Sequence, residues 1–167
     1  SPPLLPRHAA LRARGFDPPH FVLVEDHDFS HRLRAMGLRI AHAPRARFLH
    51  REVTEGISVR EKGSYAGRRV YLHSRNRWIV LLKCHRLRTL LLSFPALALY
   101  EGLYFAFALR EMRLADWFAG KRDLLKMLPQ IRRDRRRVAA NRRRDDCDLL
   151  VTGPLTVSPL IERGSAT

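Results

Sequence analysis

Cysteine is nearly absent from the 167 residues: only Cys84 and Cys147 occur, far apart and in no C-x-x-C pairing. That excludes a disulfide framework and a cysteine-based zinc site, and it points to a reducing cytoplasm. Acid is also scarce, with 16 Asp and Glu against 32 Lys and Arg, a net charge of +16 and a pI near 11.4. Such an imbalance implies a polyanionic partner, whether nucleic acid, anionic lipid or a phosphorylated ligand, and charge alone does not choose among them. The chain opens SPPLLPRHAALRARGF without an initiator Met or a basic segment leading into an apolar stretch and cleavage site, so no signal peptide is expected. Internal repeats are lacking, and the length suits one compact unit with a helical appendage.

What is present divides at a composition shift near residue 87. Before it, residues 8–14 read as a short helix ended by Gly15, and Phe16-Asp17-Pro18-Pro19 as a turn. Residues 21–24 form a short apolar run, read as a strand, and Phe29, Leu33 and Met36 then recur at helical spacing until Gly37. Residues 38–42 and 46–50 read as short extended segments separated by Pro44. A helix is expected over 64–83, with Arg75-Asn76-Arg77 its most polar stretch.

Glu25, Asp26 and Asp28 crowd the expected helix start, where terminal N–H groups favour ionised carboxylates. Asp28 suits a plain N-cap, worth about 1 kcal/mol with no function attached. Capping uses one carboxylate, however, and a cluster of three also suits a site in which one acid takes a proton from a hydroxyl while a neighbour orients it. His27 and His31, four apart on one helix face beside these acids, offer zinc-like geometry but lack the H-E-x-x-H order.

The run Gly15-Phe16-Asp17, Phe21 and Glu25-Asp26-His27-Asp28-Phe29-Ser30-His31-Arg32-Leu33, closed by Gly37, closely resembles the acceptor-side motif of family-two glycosyltransferases with the GT-A fold. Phe48-Leu49-His50 resembles the hydrophobic-hydrophobic-His that closes that domain, and residues 71–77 resemble the tyrosine and Arg-Asn helix of rhamnosyltransferase-like members. The resemblance covers residues 11–85 most strongly. It implies an α/β fold, a partial GT-A (Rossmann-like) region over 1–86, followed by membrane-associating helices over 87–145 and a tail over 146–167. It also implies an inverting transfer of sugar from a nucleotide-diphosphate sugar to a saccharide or glycolipid acceptor. Asp26 would be the general base and Glu25 would help hold the acceptor, with Asp28 and Arg32 supporting the loop. His50 would be a metal ligand, completing a site for the divalent cation, Mg or Mn, expected in the intact enzyme. The family's nucleotide-binding half, ending in Asp-x-Asp, has no counterpart here: Asp26-His27-Asp28 and Asp146-Cys147-Asp148 stand in the wrong context, so the chain by itself is expected to be inactive.

Residues 89–109 are long enough to span hydrocarbon but carry Glu101 and Pro95. Arg86, Arg88, Arg110 and Arg113 flank them, residues 114–128 are amphipathic, and 131–144 hold eight arginines against one aspartate. An interfacial seat on an anionic membrane, at the cytoplasmic face of the inner membrane, follows as the expectation. The alternative is a basic nucleic-acid-binding or membrane-surface interaction protein without catalysis. The long apolar segment and the lack of a recognisable nucleic-acid module speak against nucleic acid.

Overall fold

The structure, a computed structural model, describes residues 6–20, 22–40 and 67–150. Among these residues it is all-α: α1 (Arg7–Ala13), a 3-10 turn (Pro18–His20), α2 (Glu25–Ala35), α3 (Gly67–Cys84), α4 (Leu87–Leu92), α5 (Phe94–Arg110), α6 (Leu114–Ala140) and α7 (Asp146–Leu149). The expected α/β, partial GT-A class is therefore corrected, because no strand or sheet forms among the described residues. The apolar run ending at Val24 shows why. Leu23 and Val24 take φ values of 68° and 70°, which a strand does not allow. The carbonyls of Val22 and Leu23 are taken by a side chain of α3 rather than by a neighbouring strand. A strand has no stability without a partner, whereas a helix closes its own hydrogen bonds. Of the other expected strands only residues 38–40 are described, without regular structure, and the rest lies outside the described residues.

α3 and α6 make the most extensive contact. They run parallel, since Tyr71 at the start of α3 bonds Asp123 while Leu82 near its end accepts from Arg135. Ile79, Leu124 and Ile131 form the core between them, with Trp78, Leu82, Met127 and Leu128 packed alongside. Gly120 makes the close approach possible: a Cβ there would lie 2.7 Å from the Tyr71 carbonyl oxygen. The amphipathic segment 114–128 and most of the arginine-rich segment 131–144, expected on either side of Pro129, are one helix, α6, in which the proline merely lacks the N–H that would reach residue 125.

A smaller core of Ala13, Phe29, Leu33 and Met36 joins α1 to α2. Phe16 stacks on Phe29 at 4.7 Å. The end of α2 is closed from a distance, as the Arg143 and Arg144 amides both donate to the Ala35 carbonyl, one of the orphan acceptors of a helix C-terminus.

α4 and α5 carry the chain back between α3 and α6, broken at Ser93 where a single apolar run was expected. α5 is turned inside out. Glu101 faces inward, accepting from Trp78 Nε1 at 2.6 Å and pairing with Lys121 at 2.5 Å and Arg77 at 3.4 Å. Leu99 and Leu103 on the other side are 65% and 63% exposed.

Candidate functional site

The carbonyls of Pro19, His20, Val22 and Leu23 are taken by side chains reaching them from α3. Asn76, fully buried, points its amide at the carbonyls of His20, Val22 and Leu23, at 2.8, 2.9 and 3.0 Å. Its neighbour Arg75 donates to Pro19 O at 2.8 Å and to the Tyr71 hydroxyl at 2.9 Å. This pair holds four carbonyls of one loop and thereby fixes where α2 begins. The loop ends on Val24, a β-branched residue in the left-handed region, which costs of order 1–2 kcal/mol and persists only where surroundings impose it.

Beneath this loop lies a buried charge cluster. The side chain of Asp28 is fully buried, 2.6 Å from Lys83 Nζ and 2.7 Å from Arg32 Nη2. Lys83 also pairs with Asp17 at 2.5 Å, so two acids and two bases balance. Arg32 reaches on to the carbonyls of Ala13 and Gly15, closing the end of α1. Burial would push the Asp28 carboxyl up, but Lys83 and Arg32 together outweigh it and hold it below the usual carboxylate range. The Cys84 thiol, donating to Asp28 at 3.4 Å, is pushed up by the same burial and is inert as a nucleophile. Asp28 is therefore not an N-cap; it sits inside the first turn of α2, and Val24 takes the capping position without a side-chain bond.

The three clustered acids have separate fates. Asp28 is consumed by the ion pairs. Glu25 is half-buried, with Oε2 lacking a hydrogen-bond partner among the described residues. Asp26 is exposed, with one oxygen accepting from the His27 amide at 2.8 Å. A cleft of about 720 Å³ opens on the far side of the cluster, past Phe16, Asp17, Arg32 and Arg137, and includes neither Glu25 nor Asp26. His50, the expected metal ligand, lies outside them.

The histidines assemble differently from the sequence reading. His27 is exposed, while His31 packs edge-on against His85 at 4.6 Å. Burial, followed by His85 and Arg142, pushes His31 down to about 4. An imidazole whose pKa falls on folding supports the fold fully above about pH 6.5, and that support is lost as pH falls toward the folded value. The melting temperature, measured in chelator, is expected to drop between pH 6.5 and 4, and His31→Phe to flatten part of that slope. A pH-independent melting temperature over that range would contradict it.

The Asn76 clamp, the Lys83 partner of Asp28 and the His31–His85 pair are not legible in the sequence, since each joins residues 53 or more apart. The signal that the sequence does offer is Arg75-Asn76-Arg77, the most polar stretch of α3. Scans of family models and searches of curated proteins and of solved structures find no match to this chain.

Proposed function

We propose that the chain is the acceptor-side part of an inverting glycosyltransferase, with Asp26 as the general base. The observation that carries this reading is the separation of the three acids. A buried network uses Asp28 to fix the start of α2, and Asp26 is left in the first turn with its carboxylate free to meet a hydroxyl. In the reaction the acceptor oxygen attacks the anomeric carbon, Asp26 takes the hydroxyl proton, and the nucleoside diphosphate leaves with the bonding pair. Glu25, half-buried beside Asp26, would orient the acceptor. A divalent cation, Mg or Mn, would neutralise the leaving diphosphate. The two groupings of His and acid side chains among the described residues include neither Glu25 nor Asp26. The nucleotide sugar would be held by a nucleotide-binding half joined to this chain, and loss of transfer in Asp26→Asn is the test.

The same enzyme would work at an anionic membrane surface. Inverted α5 supports this, because in water a helix turns its charged residue out and its leucines in. Here Glu101 is tied to Trp78, Lys121 and Arg77, while Leu91, Leu92, Phe94, Leu99 and Leu103 are each more than 60% exposed. No described helix is long and apolar enough to cross a membrane, so α4 and α5 would lie along it, flanked by Arg86, Arg88, Arg110 and Arg113. Each arginine near an anionic leaflet adds about 1 kcal/mol, which suits the cytoplasmic face. Sedimentation with phosphatidylglycerol-containing vesicles is expected to capture the chain, and Leu99→Asp with Leu103→Asp to weaken capture by about tenfold or more. Equal capture of the variant, or loss of all capture after nuclease treatment, would contradict a membrane seat and favour the nucleic-acid alternative.

A further inference from the structure

The strongest feature not used by this reading lies at the junction of three elements away from Asp26. His31 stands on α2, His85 follows α3, and Asp146 begins α7. One ligand atom from each lies within 4.8 Å of the others. Nε2 of His31 and Nδ1 of His85 are both buried and have no hydrogen-bond partner among the described residues. The His85 side chain is 11% exposed, and its Nδ1 lies 3.9 Å from Asp146 Oδ2. Buried ring nitrogens are normally satisfied, so two orphans facing one carboxylate call for a reason.

We propose that His31, His85 and Asp146 bind a zinc ion that ties α2, the end of α3 and α7 together. Two imidazole nitrogens and one carboxylate oxygen, with a fourth position open to water, form a donor set that suits zinc rather than magnesium or calcium, which prefer oxygen. The carboxylate is already oriented: Asp146 accepts from Thr89 Oγ1 at 2.6 Å, from the Arg86 amide at 2.7 Å and from Arg142 Nη1 at 2.5 Å. Such outer partners hold a ligand in place for a metal. The ligands need to close by about 1 Å to reach zinc–nitrogen distances of about 2.0–2.1 Å. Arg142 adds a repelling charge that limits affinity.

The second grouping, Asp17, His20 and Asp28, offers no such place. The Lys83 ammonium sits 2.5 and 2.6 Å from its two acids and already acts as the cation there.

The chain would be stripped with chelator and titrated with Co2+, then with Zn2+, while absorption, stoichiometry and melting temperature are recorded. One ion per chain is expected, with visible ligand-field bands for cobalt, their loss on adding zinc, and a zinc-dependent rise in melting temperature. His31→Gln and His85→Gln are each expected to weaken zinc binding at least about tenfold. Thr89→Val keeps all three ligands and frees Asp146 from one of its orienting bonds, so it is expected to weaken binding by about tenfold even if a histidine variant fails to fold. No binding at micromolar zinc would overturn the site. Binding that is unchanged in Thr89→Val and in whichever histidine variants fold would overturn it equally, by placing the metal elsewhere.

Discussion

Asp28→Ala is expected to lower the free energy of unfolding by about 3–5 kcal/mol, a large share of the total stability of an ordinary domain. The magnitude follows from what the substitution leaves behind. Lys83 and Arg32 have side chains only 2% and 10% exposed, and both point at Asp28. Removing the acid strands one net positive charge where water cannot reach it. Lys83 keeps Asp17, and Arg32 keeps the carbonyls of Ala13 and Gly15, which places the loss toward the lower end of the range. Asp28→Asn keeps the shape and loses the charge, so it separates electrostatics from the cavity. Acid should act in the same direction. A carboxyl held below its ordinary range contributes fully above about pH 4, and that contribution is lost as pH falls through the folded value. Asp146 behaves likewise: burial opposes its ionisation, but Thr89, the Arg86 amide and Arg142 bring it down to about 2. Denaturant titration at pH 7 and between pH 4 and 2 measures both effects. A loss below about 1 kcal/mol in Asp28→Ala, the range of an exposed ion pair, would contradict the burial of this cluster.

The helices were legible because their signals are local. Phe29, Leu33 and Met36 keep helical spacing over α2, and Gly37, at φ 91°, stops it. α3 and α6 likewise carry apolar stripes long enough to be distinguished from strands. The sheet was misread for a physical reason: a four-residue apolar run such as Phe21–Val24 has no periodicity of its own, and what it becomes depends on which groups take its carbonyls. Here Asn76 takes two of them, from 53 and 54 residues away. Glu101 depends on distant partners in the same manner. In sequence it is a lone charge in a leucine-rich segment, while in the fold Lys121 and Trp78 compensate it. The site was half legible. Asp28 and Arg32 are four apart on one helix and could be paired by spacing, but Lys83 could not, and without Lys83 an acid near a helix start looks like a cap.

Asp26 is the residue on which the catalytic reading stands. A positioned base contributes about 10²–10⁴-fold to a transfer reaction, and Asn keeps the size of Asp while removing its capacity to take a proton. Asp26 is exposed and its side chain bonds only the adjacent amide among the described contacts, so the substitution leaves the Asp28–Lys83–Arg32 cluster and the Asn76 clamp in place. Folding and vesicle binding should therefore be unchanged. Glu25→Gln, by contrast, should act mainly on the acceptor KM, because an orienting contact is made in the ground state as well. The decisive measurement is sugar transfer from a nucleotide sugar to a saccharide acceptor on phosphatidylglycerol vesicles, by this chain joined to the nucleotide-binding half that the proposal requires, comparing wild type with Asp26→Asn. The expected result is a fall in kcat/KM of about 10²–10⁴-fold at unchanged melting temperature. Transfer retained within about tenfold would remove Asp26 from the reaction and with it the glycosyltransferase reading of the site.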